Sequence, residues 1–182
     1  MAFPAFLDTC VLYPAYLCDT LLRLADAGAY RPLWSGDIME ELQRNLVKRG
    51  LPADRIDRRV GQMTQAFPDA MVSGYGSLID GMTNDPKDRH VLAAAVRANA
   101  EVLVTFNTVD FPGSALRPYD IEAVHPDEFL LDQLDLYPGV TMHVLHQQAA
   151  AYRREPKTVP ALMVLLERAG LRRFAAEVRR HL

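Results

Sequence analysis

The sequence predicts an α/β fold in which a mostly parallel central sheet is flanked by helices and followed by a small all-helical C-terminal extension. Short apolar strands alternate with amphipathic helices up to residue 124, a pattern typical of parallel sheets. The strand 102–105 (VLVT) is almost wholly apolar, as expected when helices cover both faces of a sheet. No strand signal remains after His125. We therefore predict one domain over residues 1–124 and a helical extension over residues 125–182.

The predicted elements follow each other along the chain. Strands are predicted at residues 5–8, 33–34, 70–73, 102–105 and 121–124. Helices are predicted at about 14–28, 35–50, 52–67 and 85–99, and in the extension at about 126–136, 139–153, 158–169 and 171–181. Ser35 and Asp85 are typical N-cap residues, Pro86 suits a first helical position, and Gly50 is typical of a helix end.

The composition is that of a globular chain. Of the 182 residues, 49% are hydrophobic and 24% are charged, which excludes disordered, collagen-like and coiled-coil proteins. No apolar run approaches the roughly 18 residues of a membrane span, and the start MAFPAFLD lacks the basic region of a signal peptide. Cys10 and Cys18 are too few for a disulfide scaffold. These features predict a protein of the reducing cytoplasm.

The charge is unevenly distributed. The net charge of −3 argues against a general phosphate binder. Residues 125–152 contain four acids and no Lys or Arg, whereas residues 153–182 contain eight basic and three acidic residues. A second basic cluster lies within residues 44–59. This pattern favours the hypothesis that an acidic centre binds cations and that the basic surfaces beside it bind phosphates.

Acidic residues recur where predicted strands end or helices begin. Asp8 ends the first strand, Glu40 and Glu41 lie in the opening turns of the second helix, Asp88 opens the long helix, and Asp110 follows VLVT. In an open α/β sheet these positions gather at one edge. Clustered carboxylates repel one another, and a divalent cation removes that penalty. Oxygen ligands favour Mg²⁺ or Mn²⁺ over zinc, so the sequence predicts a magnesium or manganese site.

Structural roles are alternatives for several of these acids. Asp85 is better explained as a helix N-cap than as a metal ligand, and Asp88 could stabilise the helix dipole. Glu40 and Glu41 project about 100° apart, so one of them faces the site, and we assign Glu41. Asp8 is the hardest to explain by structure alone, because it directly follows an apolar strand.

Four segments together resemble the PIN-domain ribonucleases, and more narrowly the VapC-type toxins of bacterial toxin–antitoxin pairs. These segments are FLDTCVL, SGDIMEEL, DPKDRHVLAAAVRANAEVLVTFNTVDFP and VHPDEFLLDQL. The resemblance covers roughly residues 3 to 126, and the tail resembles a helical extension found in a subset of these proteins. It implies that metal-binding, catalytic positions are occupied by Asp8, Glu41, Asp88 and Asp110. It also implies supporting roles for Thr9 and Asn107, and Asp85 could join or replace a ligand.

The resemblance further implies an Mg²⁺- or Mn²⁺-dependent endoribonuclease that leaves a 3′-hydroxyl and a 5′-phosphate. Its partners would be an RNA substrate, an antitoxin protein that holds it inactive, and a second copy in a homodimer. Arg44, Lys48 and Arg49 could hold phosphates that flank the scissile one, or could form an ordinary solvated helix face. The alternatives are a catalytically silent PIN-like module that binds RNA or protein, and a phosphatase or DNA nuclease that uses the same ions.

Overall fold

The computed structural model describes residues 2–182 and contains a five-stranded parallel sheet with the order β3-β2-β1-β4-β5. Strand β1 lies at its centre, where Phe6 pairs with Leu33 of β2 and Leu103 of β4. The strand bounds are Pro4–Leu7 (β1), Arg31–Ser35 (β2), Met71–Val72 (β3), Val102–Val104 (β4) and Glu122–Val124 (β5). The predicted parallel α/β fold is thereby confirmed.

Ten α-helices surround and follow the sheet in the part of the chain that the structure describes. Their bounds are Thr9–Leu12 (α1), Ala15–Asp26 (α2), Gly36–Lys48 (α3), Ala53–Ala66 (α4), Arg89–Arg97 (α5), Gly113–Leu116 (α6), Pro126–Leu136 (α7), Pro138–Ala151 (α8), Val159–Arg168 (α9) and Arg172–Arg180 (α10). None of the helices within residues 2–182 combines the length and the apolar character needed to cross a bilayer.

Local signals explain where the helices begin and end. The Ser35 hydroxyl accepts a hydrogen bond from the Ile38 N–H at 3.2 Å, so Ser35 caps α3 as predicted. Gly50 follows the same helix with a φ of +88°, a left-handed conformation that glycine adopts without strain. Asp85 also acts as an N-cap, but of a short 3₁₀ turn, Pro86–Asp88, that precedes α5. The long helix predicted from residue 85 therefore begins at Arg89 instead.

The sheet and the extension share one hydrophobic core. Helix α8 packs on α2, and the contact contains a buried polar network. The Gln148 side chain accepts a hydrogen bond from the Thr20 hydroxyl at 2.8 Å and donates one to the Tyr16 carbonyl at 3.1 Å. The Tyr152 hydroxyl donates to Asp19 at 2.6 Å. The extension is thus fixed to α2, the second helix after Asp8.

Within the extension, Asp127 of α7 caps α10. Its carboxylate is 8% exposed and accepts hydrogen bonds from the N–H groups of Arg173 and Phe174, at 3.1 and 2.8 Å. We expect Asp127→Ala to lower the free energy of unfolding by about 1–3 kcal/mol, because two N–H groups lose a charged acceptor. Asp127→Asn, which keeps one acceptor oxygen, should cost less, and Asp57→Ala on an exposed face should cost almost nothing. Urea unfolding monitored by circular dichroism measures all three; equal losses would contradict the capping role.

Candidate active site

The C-terminal ends of the two central strands bring the first acid into a buried polar setting. Asp8 follows β1 and is 5% exposed, and Thr105 follows the adjacent β4. The Thr105 hydroxyl donates to Asp8 Oδ2 at 2.8 Å, and the Thr9 N–H donates to Asp8 Oδ1 at 2.8 Å. Burial raises the pKa of Asp8, and the nearby charge of Glu41 raises it further, whereas these hydrogen bonds oppose the shift.

Glu41 is the member of the glutamate pair that faces Asp8. It lies one turn into α3, half-buried, and its Oε2 accepts a hydrogen bond from the Thr9 hydroxyl at 3.1 Å. Glu40 is exposed. Thr9 therefore links the two acids, with its N–H on Asp8 and its hydroxyl on Glu41. The helical spacing predicted that one glutamate of the pair faces the site, and Glu41 is the one that contacts Thr9 beside Asp8. The roles of Glu41 and Thr9 in metal binding stay predictions.

Asp88 and Asp110 form the other half of the cluster. Burial, the negative charge of Asp8 and a hydrogen bond with Asp110 raise the pKa of Asp88 to about 7. The Lys87 ammonium lies 3.5 Å from Asp110 Oδ2 and opposes this shift. We call Asp8, Glu41, Asp88 and Asp110 the acidic rim. The four acids come from four separate segments, and Lys87 is the one cation whose ion pair with them falls within 4.0 Å in residues 2–182.

Asp85 and Asn84 form hydrogen bonds with the backbone beside the acidic rim. The Asp85 carboxylate accepts a hydrogen bond from the Lys87 N–H at 3.1 Å, which is its capping role. The buried Asn84 donates its side-chain amide to the Asp88 carbonyl at 3.0 Å. Asn107 is exposed, and its N–H donates to the Thr105 hydroxyl at 3.0 Å. Asn107 therefore lies at the rim through its backbone, with no hydrogen bond to its side chain among the described residues.

The sequence reasoning missed two residues that support Asp8. Thr105 is fully buried, and the one sequence signal for it was its place as the last polar residue of an apolar strand. The Cys10 thiol lies 3.6 Å from Asp8 Oδ2 and accepts a hydrogen bond from the Phe106 N–H at 3.3 Å. Burial, then the charge of Asp8, raises the pKa of Cys10 to about 12. The Cys10 thiol is therefore protonated at neutral pH.

The donor set of the rim fits a hard divalent cation. All four acids offer oxygen atoms, and burial, followed by the negative charges of Asp8 and Asp110, raises the pKa of Asp88, so a bound cation would favour its ionised form. Among residues 2–182, no three Asp, Glu, His or Cys side chains are already disposed to hold one metal ion together. Mg²⁺ commonly uses one or two carboxylates and completes its shell with water, so the pairwise approach of these acids suits Mg²⁺ or Mn²⁺ better than zinc.

An open groove of about 500 Å³ leads from the rim along α3. It is lined by Thr9, Cys10, Tyr13, Glu41, Asn45, Lys48 and Arg49, and we call it the α3 groove. The Arg49 guanidinium lies over the Tyr13 ring, 5.7 Å from its centroid. Lys48 and Arg49 are exposed at the far end of the groove, and Arg44 is exposed but does not line it. Two of the three predicted phosphate-contacting residues therefore share a groove with Glu41 of the acidic rim.

Two cavities larger than the α3 groove lie away from the acidic rim. One, of about 660 Å³, is beside the N-terminal ends of β1 and β2, and the other, of about 630 Å³, is between α2 and α4. Neither contains a member of the acidic rim. An open groove rather than a deep pocket is what a long polyanion needs, because its backbone must pass over the reacting group.

The family model described as "PIN domain" matches residues 4–109, which is more than half of the chain, and the model described as "VapC50 C-terminal domain" matches residues 126–180. A protein of Mycobacterium tuberculosis named "Putative ribonuclease VapC50" is 51% identical over 111 residues. That match covers 61% of this chain and 65% of the relative, just under two thirds of its length. No solved structure matches this chain.

Proposed function

This chain belongs to the PIN-domain family, and we propose that it is an Mg²⁺- or Mn²⁺-dependent endoribonuclease, the toxin of a toxin–antitoxin pair. The observation that carries the proposal is the convergence of the acidic rim at the C-terminal ends of β1 and β4, beside a groove with basic residues. The relative's printed name, a ribonuclease, supports RNA as the substrate. We place the protein in the cytoplasm, where Cys10 and Cys18 would remain thiols.

Each residue of the rim has a distinct role in this proposal. Asp8, Asp88 and Asp110 would hold the ion, directly or through the water molecules that Mg²⁺ retains, and Glu41 would hold it or orient the attacking water. When bound, the ion would lower the pKa of water and neutralise charge on the phosphate. Thr105 and Thr9 keep the Asp8 carboxylate in one orientation through hydrogen bonds at 2.8 Å, so little reorganisation accompanies binding. Lys87 lies where it can contact a phosphate oxygen once its partner Asp110 is engaged.

Dependence on a divalent ion is the first test. Purified protein should cleave an RNA panel in Mg²⁺ or Mn²⁺, stop with EDTA and recover when the ion is added back. Asp8→Asn should lower the cleavage rate on the order of 100-fold or more. The asparagine amide is neutral, and its single oxygen cannot replace both carboxylate oxygens that accept from the Thr9 N–H and the Thr105 hydroxyl. Circular dichroism controls for folding. Cleavage that persists in EDTA, or in a folded Asp8→Asn variant, would rule the assignment out.

The α3 groove provides a path for the strand that flanks the scissile bond. Lys48 and Arg49 are exposed cations at its end, and Tyr13 offers a ring between them and the rim. We expect Lys48→Ala and Arg49→Ala each to weaken RNA binding. Each should also make the slope of log K against log salt concentration shallower by about 0.7, which is the contribution of one phosphate contact on a single strand. Arg44→Ala is the matched control, since Arg44 lies outside the groove. Fluorescence anisotropy at several salt concentrations measures this; equal effects of all three would contradict the path.

The partner proposed for the rim is an antitoxin. Val109 is 89% exposed and directly precedes Asp110 within the 3₁₀ turn Thr108–Asp110. An exposed apolar side chain next to carboxylates is suited to a partner segment that presents an apolar residue and an Arg together. Co-purification of a small protein encoded next to this one, released by Val109→Asp, would support this partner. The homodimer stays a prediction that light scattering would test.

The same experiments distinguish the alternatives. A silent PIN-like module would bind RNA without cleaving it, although all four acids of the rim are present in this chain. A DNA nuclease would cleave a deoxy version of the best RNA substrate equally well. Since the 2′-hydroxyl is the group that separates RNA from DNA at a single site, matched RNA and DNA oligonucleotides decide between them directly.

A further inference from the structure

The turn between α9 and α10 lies at the same end of the sheet as the acidic rim. We call residues 168–172 the α9–α10 turn. Asp127 lies in the first turn of α7, directly after β5, and its carboxylate caps the start of α10. The start of α10 is thereby held beside the carboxyl end of β5, which is the parallel neighbour of β4. The extension therefore reaches the end of the sheet where Asp8 follows β1.

Gly170 of the α9–α10 turn packs on a residue that adjoins the acidic rim. Its φ is +105°, and a Cβ at this position would lie 3.3 Å from Phe106 Cε1, so a glycine allows the close approach. The Phe106 ring also packs edge-on against His125, with the ring centroids 5.1 Å apart. The Phe106 N–H donates to the Cys10 thiol, which lies 3.6 Å from Asp8 Oδ2. Phe106 and Cys10 therefore join the turn to the setting of Asp8.

Two arginines flank Gly170 and have no acidic partner. Arg168 ends α9 and Arg172 begins α10, and both are exposed. Neither forms an ion pair within 4.0 Å in residues 2–182. An exposed guanidinium without a carboxylate beside it is free to bind an anion from solution.

The other arginines of α9 and α10 each have an acidic neighbour. The neighbours are Glu167 for Arg179 at 2.7 Å, Glu177 for Arg180 at 2.8 Å, and Asp132 for Arg173, whose charge opposes the raised pKa of Asp132. Positive charge that is not balanced within these two helices is therefore concentrated beside Gly170, at the end that packs next to the rim.

The α9–α10 turn and the α3 groove approach the rim from different sides. The sheet order places β2 and β4 on either side of β1. Helix α3 follows β2, whereas Phe106, which contacts the turn, follows β4. An RNA chain that crosses the rim meets four carboxylates, and cations on both flanks offset that repulsion. Lys48 and Arg49 supply such cations on one flank, and Arg168 and Arg172 supply them on the other.

We propose that the α9–α10 turn binds the phosphate backbone of the RNA beside the scissile bond, through Arg168 and Arg172. This inference rests on the nuclease function proposed above and names a second part of its substrate surface. A guanidinium can donate two parallel hydrogen bonds to one phosphate. Because phosphate contacts carry no base information, the turn contributes affinity and register rather than sequence choice. The extension is accordingly a working part of the RNA site.

RNA binding measured in EDTA tests the turn apart from cleavage. The double change Arg168→Gln with Arg172→Gln should weaken binding of a single-stranded RNA roughly tenfold, to a similar degree for unrelated sequences. The slope of log K against log salt concentration should become shallower by about 1.4, which is two phosphate contacts of about 0.7 each. Arg180→Gln is the matched control, because Arg180 lies at the other end of α10 and pairs with Glu177. Fluorescence anisotropy measures both; a double variant with the natural slope and affinity would overturn the proposal.

Cleavage of trimmed substrates assigns the contact to one flank. On an RNA that extends past the cut on both sides, the double variant should raise KM and leave kcat close to natural, because the turn contacts RNA away from the reacting phosphate. Trimming the RNA on one flank should abolish the difference between the variant and the natural chain, and trimming the other flank should preserve it. A difference that persists on both trimmed substrates would contradict a contact with flanking phosphates.

The remaining outcomes separate this inference from the nuclease function. Both replaced arginines are exposed and unpaired, so the double variant should melt at the temperature of the natural chain. No cleavage by the natural chain with Mg²⁺ or Mn²⁺ would refute the nuclease function itself. Natural cleavage together with an unchanged KM in the double variant would overturn the role of the turn alone. Unchanged RNA binding with loss of a co-purifying protein would also overturn it and would identify the turn as a protein-binding surface.

Discussion

Asp88→Asn is expected to abolish RNA cleavage while making the metal-free protein more stable. The cleavage loss should be on the order of 100-fold or more, the scale of removing one preorganised electrostatic contact in an active site. The gain in stability follows from the raised pKa of Asp88, which burial and the charges of Asp8 and Asp110 move from 3.8 to about 7. The folded chain binds the Asp88 proton more tightly than the unfolded chain does. The stability that protonated Asp88 contributes is therefore fully present below about pH 4, and it is lost as the pH rises through about 7.

Melting curves of the metal-free protein between pH 5 and pH 8 measure this effect. The natural chain should melt at a lower temperature as the pH rises, and Asp88→Asn should flatten that dependence. Mg²⁺ added at pH 8 should raise the melting temperature of the natural chain again, because a ligand that binds only the folded state stabilises it. The same addition should change the melting temperature of Asp88→Asn little. Asp85→Asn is the matched control, three residues away. Because asparagine also caps helices, the cleavage rate and the melting temperature of this variant should stay close to those of the natural chain. A full loss there would show that Asp85 is a ligand.

Glu41→Gln should reduce cleavage roughly 10- to 100-fold, whereas Glu40→Gln should leave it within a factor of two or so. The two neighbours differ in setting: Glu41 Oε2 accepts the Thr9 hydroxyl at 3.1 Å, and Glu40 is exposed. Glutamine can still accept that hydrogen bond, so the local structure should persist while the negative charge is lost. The measured effect is therefore one of charge rather than of packing.

Rates measured across a range of Mg²⁺ concentrations separate the two possible roles of Glu41. If Glu41 holds the ion, the concentration for half-maximal activity should rise in Glu41→Gln and the maximal rate should largely recover. If it orients water, the maximal rate should fall at all ion concentrations. Glu40→Gln should match the natural chain in both measures. A larger loss in Glu40→Gln than in Glu41→Gln would reverse the assignment of the pair.

Periodicity and capping residues were sufficient to predict the sheet and most helices. The apolar strand before Asp8, the cap at Ser35 and the glycine at position 50 mark their boundaries through local physics, and the structure has each of them near its predicted place. The candidate site was predicted for a related reason: in a parallel sheet, acids that follow strands or open the next helix gather at one end of the sheet. The helical angle between Glu40 and Glu41 was likewise local information.

What the sequence could not predict depends on contacts between distant segments. The support of Asp8 by Thr105 joins residues 97 positions apart, and a threonine that ends a strand gives no sign of its partner. The switch from a 3₁₀ turn to α5 at Arg89 is similar, because Asn84 and Asp110 hold the backbone there through hydrogen bonds to Asp88 and Asp85. The α3 groove was missed in part because Tyr13 and Asn45 carry no charge pattern.

Helix α8 and the residue that follows it are joined to α2 by hydrogen bonds between Gln148 and Thr20 and between Tyr152 and Asp19. The tail is consequently not an interchangeable accessory. A chimaera that joins this chain to a tail from a relative would bury the Thr20 hydroxyl against a foreign side chain unless α2 were exchanged as well. Substitutions in the two helices should accordingly be inherited as pairs, and natural recombination that succeeds should carry both helices across together.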